Sequence, residues 1–309
     1  MLMKDNNLGA KPFLKWAGGK KQLIPTIEDK FPSDIKKSRR IMKYFEVFVG
    51  GGALFFHLMN YYDVKESYLY DINKELILTY IVIKNSPNEL IELLSHLQEE
   101  YVPLNQDDRK EFYLNIRNKF NEDLSDFDFN NYSDKHIVRA SQIIFMNKTC
   151  FNGLFRLNKS GKFNVPHGRY SKPLICDKSN IIAVSKTLKN TNIINGNYFD
   201  SEELIDDESF VYLDPPYRPL STKSSFTTYA GFEFTDEHQI ELANFYKRIS
   251  DCGAKAILSN SDPKNENSDD NFFDVLYSDF TIDRVQANRS INSNGKNRGK
   301  INEILVRNY

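Results

Sequence analysis

The apolar run Phe210-Val211-Tyr212-Leu213 stops at Asp214-Pro215-Pro216-Tyr217. Each proline lacks an N–H and fixes its own φ, so a ladder cannot continue through the pair, and the run predicts a buried strand with a stiff tip. At its carboxyl end the tip gathers a carboxylate, carbonyls without competing donors and an aromatic ring. That set suits a flat polar amine, and an extruded nucleobase meets its demands. A plain solvent turn is the competing reading, because Asp-Pro and Pro-Pro also punctuate ordinary loops.

With 309 residues, 40% of them hydrophobic and 27% charged, the chain can bury one large core or two modest ones, which excludes a disordered class. Met1 to Ala10 lacks an apolar signal core, and no stretch approaches the ~20 apolar residues of a membrane span, so a cytoplasmic protein is expected. Cys150, Cys176 and Cys252 form no Cys-x-x-Cys pair, and the five histidines (His57, His96, His136, His167, His238) show no ligand spacing; reduced thiols and no metal are expected. The formal net charge is -1, yet charge is local: residues 131–190 hold eleven Lys/Arg against Asp134 and Asp177, a net +9, and residues 284–309 hold six against Glu303, a net +5. Two basic tracts in a near-neutral chain suggest a surface for phosphates, although such tracts are commonly just solvated faces.

Strand and helix signals alternate. Phe13-Leu14-Lys15-Trp16-Ala17-Gly18-Gly19-Lys20 reads as a glycine turn before a short helix at Gln22 to Pro25. Tyr44 to Val49 reads as a strand, Gly50-Gly51-Gly52 as a loop and Ala53 to Leu58 as a buried helix. Ser67 to Tyr70 reads as a second strand, closed by Asp71 twenty-five residues after Glu46. Helical spacing covers about Ile77 to Glu100 and Glu111 to Phe120. Strand-like runs resume at Ile193-Ile194, Phe210 to Leu213 and Ala254 to Leu258, with a helix at Asp236 to Ile249 and a strand pair at Phe280 to Val285 and Glu303 to Asn308. The alternation predicts an α/β sheet, with residues 84–190 inserted as a largely helical, basic module between 1–83 and 191–309.

Three constellations carry chemistry. The triple glycine lets backbone approach a ligand, and the helix after it offers free N–H groups, but it is neither G-x-G-x-x-G nor a Walker loop. Asp71 at the end of the second strand can accept both ribose hydroxyls, so an adenosine carrying something other than phosphates is implied. Trp16 and Lys20 supply an aromatic wall and a cation, or else a core tryptophan beside an exposed lysine. Asn152 to Pro166 reads as a β-hairpin turning at Lys159-Ser160-Gly161. It is either a basic element that enters a major groove, where an arginine engages guanine, or an ordinary surface hairpin.

Together these segments resemble the DNA adenine-N6 methyltransferases of the Dam type, including methylases that accompany restriction enzymes acting at GATC. The resemblance is carried by Phe13 to Lys20, Phe45 to Gly52, Tyr70-Asp71-Ile72-Asn73, Asn152 to Tyr170 and Asp214 to Ser221, and extends to Ser225 to Tyr229 and Leu258 to Ser261. It implies a Rossmann-like sheet that binds S-adenosylmethionine and releases S-adenosylhomocysteine, with a target-recognition domain carrying the hairpin at 84–190. The cofactor residues it implies are Trp16, Ala17, Gly18, Gly19, Lys20, Glu46, Phe48, Gly50, Gly51, Gly52, Asp71, Asn197, Tyr198 and Asp214. Where the family often has an acidic residue for the cofactor's adenine amine, this chain has Asn197, whose side-chain carbonyl can accept the same bond, with Asp200 as a fallback. For duplex DNA the implied residues are Asn152, Arg156, Asn158, Lys159, Lys162, Pro166, Arg169, Lys296 and Arg298.

The expected reaction is direct displacement on the sulfonium methyl by an adenine amine bonded to Asp214 and the Pro215 carbonyl, with Pro216 stiffening the tip and Tyr217 stacking on the base. The expected site is GATC, or else another GAT-containing sequence; the expected partners are double-stranded DNA and a restriction endonuclease sharing the site. Rival readings are a catalytically silent DNA-binding homologue and methylation of RNA or of a protein amide.

Overall fold

A computed structural model describes residues 9–124, 127–158, 160–219, 228–229, 232–288 and 300–309. The chain divides into two compact units.

One unit, residues 20–49, 62–70 and 196–309, opens with α1 (Ile24–Asp29) and α2 (Ser33–Ser38) and is built on a sheet. Strands β1 (Arg40–Glu46) and β2 (Asp63–Asp71) pair in parallel from Arg40↔Asp63 to Glu46↔Leu69. After β3 (Thr191–Asn195), which belongs to the other unit, β4 (Ser209–Leu213) pairs in parallel with β1. A two-residue antiparallel pair follows, β5 (Thr228–Tyr229) with β6 (Phe232–Glu233). Strand β7 (Lys255–Ser261) lies parallel to β4, and β9 (Lys300–Arg307) runs antiparallel to both β7 and β8 (Thr281–Asn288). Within this unit the order is therefore β2-β1-β4-β7-β9-β8. All five residues of β4 are buried, as a central parallel strand requires, and that is why its sequence is unbroken apolar rather than alternating. Helix α9 (Asp236–Asp251) buries Gln239, Leu242, Ala243, Phe245, Tyr246 and Ile249, a 3.6-residue stripe.

The other unit, residues 1–19, 50–61 and 71–195, is mainly helical. It holds α3 (Ala53–Tyr61), α4 (Lys74–Asn85), α5 (Pro87–Tyr101), α6 (Gln106–Glu122), α7 (Asp134–Thr149) and α8 (Lys178–Leu188). The single helical stretch expected from Ile77 to Glu100 is two helices, because Pro87 occupies the first turn of α5 and cannot continue α4. Helix α7, for which the sequence reading assigned no helix, is buried along most of its length. Its Arg139, 2% exposed, donates from Nε to both oxygens of Glu75 (3.0 and 2.8 Å) and lies 4.0 Å from the Phe120 ring centroid.

Not every basic residue of the two tracts faces solvent. Arg139 is spent on Glu75, Arg284 on Asp262 and Asp274, and Arg307 on Asp283. The surface charge is thus smaller than the net +9 and +5 counted along the chain. Among the described residues no helix is long and apolar enough to cross a membrane.

Candidate active site

The tip of β4 is fixed from three sides within its unit. Lys20 Nζ lies 3.0 Å from Asp214 Oδ1, with the side chains 7% and 19% exposed. Ser259 Oγ donates to the same Oδ1 at 2.9 Å, and Tyr212 Oη lies 3.0 Å from that hydroxyl. Both contacts of the carboxylate fall on one oxygen, so among the described residues Oδ2 has no hydrogen-bond partner. Burial raises the Asp214 carboxyl above its ordinary range, while Lys20 and Ser259 pull it back down. The site therefore holds a costly, poised acceptor.

Beyond Asp214 the backbone is held by a relay of buried amides. Gln239 Nε2 donates to the Pro216 carbonyl at 3.1 Å, and Asn260 Nδ2 donates to Gln239 Oε1 at 3.0 Å. Asn260 Oδ1 in turn accepts from the Arg218 N–H at 3.2 Å. Both amides are fully buried, so these bonds replace water that cannot reach them. The Arg218 side chain is clamped by Asp236 and Asp270 and stacks 4.3 Å from the Phe272 centroid. Tyr217 donates its phenol to Glu303 Oε2 at 2.6 Å, and Lys20 Nζ lies 4.2 Å from its ring centroid.

Glu46, at the end of β1, is buried and accepts the Tyr44 phenol at 2.7 Å. Asn197 donates its backbone N–H to Asp200 Oδ2 at 2.7 Å, so Asp200 caps the turn Tyr198–Leu204. Among the described residues Asn197 Oδ1 is buried without a hydrogen bond of ordinary geometry. An orphaned buried carbonyl costs free energy until a donor reaches it, which suits the amine of a purine. Tyr198 is 6% exposed and packs against Phe48, Phe245 and Phe199 with centroids 5.1 to 5.5 Å away.

In the helical unit, Asp71 closes β2 and grips its neighbours: Oδ2 accepts the Gly50 N–H at 3.1 Å and Oδ1 the Asn73 N–H at 2.9 Å. Gly50 and Gly52 have φ of +47° and +64°. A Cβ at Gly50 would lie 2.9 Å from Trp16 Cδ1, and one at Gly52 would lie 2.6 Å from Tyr80 Oη. The loop thus needs glycine for both its conformation and its contacts. Trp16 also stacks on Phe155 at 5.5 Å. Ala17, Gly18 and Gly19 are exposed, Gly51 half-buried.

Asn147 ties this turn to the hairpin region, accepting the Lys15 N–H at 2.9 Å and donating to the Lys15 and Gly153 carbonyls. The hairpin is slighter than its two expected strands: one antiparallel bridge, Leu157↔Phe163, preceded by a 3₁₀ turn at Phe151–Gly153 that holds Asn152 at φ 57°. Asn158 builds its turn, with Oδ1 accepting from the backbone of Ser160 and Lys162. Arg156 is exposed and braced by Asn164 Oδ1 at 2.8 Å. Lys162, Pro166 and Arg169 are exposed. Lys159, Lys296 and Arg298 lie outside the described residues, as do Leu220 and Ser221 of the tip's continuation.

Ser259, Gln239, Asn260 and Glu303 carry no role in the sequence motifs. For Ser259 and Asn260 a signal existed: polar residues ending the apolar strand Ala256-Ile257-Leu258 can be buried only if they are bonded. Gln239 and Glu303 reach the tip through tertiary contacts that no local pattern announces.

A family model described as D12 class N6 adenine-specific DNA methyltransferase matches residues 16–291. The type II methyltransferase M.MjaIII of Methanocaldococcus jannaschii is 48% identical over 97% of this chain and 99% of its own length. The type II methyltransferase M1.LlaDCHI of Lactococcus lactis subsp. cremoris is 37% identical over 100% and 99%, and the DNA adenine methylase of Escherichia coli (strain K12) 32% identical over 98% and 96%. On the span of these matches, the chain belongs to the D12 class of N6 adenine-specific DNA methyltransferases.

Proposed function

We propose that this chain transfers a methyl group from S-adenosylmethionine to the N6 amine of an adenine extruded from duplex DNA, within GATC. The observation that carries the reading is the poise of Asp214: Oδ1 is spent on Lys20 and Ser259, while Oδ2 remains to accept an amine N–H. The Pro215 carbonyl is the second acceptor. Two such bonds draw the amine's delocalised lone pair back onto nitrogen and preorganise it for displacement. The proton that nitrogen sheds as its bond to carbon forms passes through Asp214 to water. Lys20 favours the ionised carboxylate, opposing the larger pull of its burial. Tyr217 stacks on the base and offsets part of the few kcal/mol that unpairing and unstacking cost.

Each unit offers donors that suit the cofactor. In the helical unit Asp71 would hold its ribose, with Trp16 and the turns Ala17 to Gly19 and Gly50 to Gly52 as further contacts; in the sheet unit Asn197 Oδ1 would take its adenine amine, with Lys20, Glu46, Phe48 and Tyr198 as further contacts. Bound there, S-adenosylmethionine supplies an electrophilic sulfonium methyl. Its adenine amine would give Asn197 Oδ1 the donor it lacks. Residues 84–190 serve in this reading as the target-recognition module, with Arg156 reading guanine, Asn152 and Pro166 meeting the groove, and Asn158, Lys159, Lys162 and Arg169 as contacts to the phosphates; Lys296 and Arg298, outside that module, would add further phosphate contacts.

Two relatives are named type II methyltransferases, which supports a protective role beside an endonuclease of the same site. Tritiated methyl transfer to matched duplexes with and without GATC tests the proposal. Label confined to the GATC duplex is expected; equal label on both removes the site assignment, and none on either removes the function.

A further inference from the structure

Tyr217 is held at its far end by a strand to which no role has been assigned. Its phenol donates to Glu303 Oε2 at 2.6 Å, and Glu303 sits in β9, paired with Ser261 of β7 and Val285 of β8. The near end of the same residue is fixed by the Pro216 carbonyl on Gln239 and the Arg218 N–H on Asn260. A tyrosine's ring torsion is broad and soft, so anchoring the backbone alone leaves the plane free to rotate. A bond from the phenol to a carboxylate in a paired strand pins the far end of the ring, and because a phenolic O–H prefers to lie in the ring plane, an acceptor fixed to one side also favours one plane. Burial, with Asp214 and Glu303 nearby, pushes the phenol well above its ordinary value, so it stays protonated and remains a donor.

We infer that Glu303 is a positioning residue that holds the Tyr217 ring in place against the extruded base. The inference rests on the proposed function of the tip. Glu303 touches neither base nor methyl donor; it acts through the tyrosine, presetting the stacking surface so that ring ordering is not charged to each base that enters.

The test is a double-variant cycle on the full chain, read as the single-turnover rate of methyl transfer to a GATC duplex, with S-adenosylmethionine affinity measured alongside. Glu303→Ala and Tyr217→Phe each remove the same bond and should each slow the step roughly tenfold, a typical consequence of losing one such bond. Cofactor affinity should not change. The double variant should be no slower than the slower single, and Glu303→Gln, which can still accept the phenol proton, should recover most of the rate. Losses that multiply, a Gln variant as slow as the Ala variant, or wild-type speed in Tyr217→Phe would overturn the inference. Tyr217→Phe leaves β9 untouched, so it reads the contact even if alanine at 303 unsettles the strand. A wild-type chain that binds the duplex but transfers no methyl to adenine marks the failure of the proposed function instead.

Discussion

Replacing Gln239 with leucine removes the centre of the relay behind the tip. The change strands two buried groups, the Pro216 carbonyl and the Asn260 side-chain amide. Each costs about 1–3 kcal/mol when left unpaired, so the fold should lose about 2–6 kcal/mol, less whatever the apolar side chain returns. A domain with about 5–15 kcal/mol of stability survives that loss, and the variant should fold with a lowered melting point. If about 1–3 kcal/mol of the loss falls on the tip in the transition state, single-turnover methylation should slow by roughly fivefold to 150-fold. Gln239→Glu is the sharper companion: it keeps an acceptor for Asn260 but turns an oxygen toward the Pro216 carbonyl, and should be slower than its stability loss suggests. The assay is methyl transfer with enzyme in excess over a duplex, beside thermal melting and DNA binding. Leucine and glutamate variants that melt lower yet methylate at the wild-type rate would refute the claim that this relay shapes the tip.

Ser259→Ala removes a donor that favours ionised Asp214, so the acid limb of the pH–rate profile should move to higher pH. The sign for stability follows: burial raises this carboxyl, so its contribution is full below the unfolded pKa and is lost as pH rises through the folded one, and melting against pH should show a larger loss in the alanine variant. Arg139→Met leaves Glu75 buried without its partner and should cost about 3–5 kcal/mol in denaturant unfolding, with most of it recovered in Glu75→Gln/Arg139→Met. Gly52→Ala forces an L residue to φ +64° with its Cβ 2.6 Å from Tyr80 Oη; the strain alone is about 1–2 kcal/mol, and calorimetry should show weakened S-adenosylmethionine binding.

The strand before the tip and the glycine loop are legible because their signals are local. The run before Asp214 is buried at every residue, and the glycine loop stands where the backbone requires positive φ. Strand β1 was expected at Tyr44 to Val49 but occupies Arg40–Glu46, because its first half is partly exposed and therefore not apolar, whereas Val47 and Val49 are buried beyond the ladder. Helix α7 is illegible for a different reason: Arg139 looks like a solvent residue until Glu75 is brought across from α4. The hairpin's alternation reads as two strands, yet Asn158 closes the turn so tightly that one bridge suffices. Of the candidate site, the residues with unusual chemistry were visible; those that hold them, Gln239, Asn260 and Glu303, were not, since a buried amide or carboxylate gains its meaning from a partner distant in sequence.

The central claim is that Asp214 presents an adenine amine for methylation. Nucleoside mass spectrometry of a duplex incubated with S-adenosylmethionine and the wild-type chain, or with Asp214→Ala, tests it directly. The account predicts N6-methyladenine from the wild type and none from the variant, with phosphate-driven DNA binding mostly retained. N6-methyladenine formed equally well by Asp214→Ala, or a wild type that methylates a different atom, would contradict it.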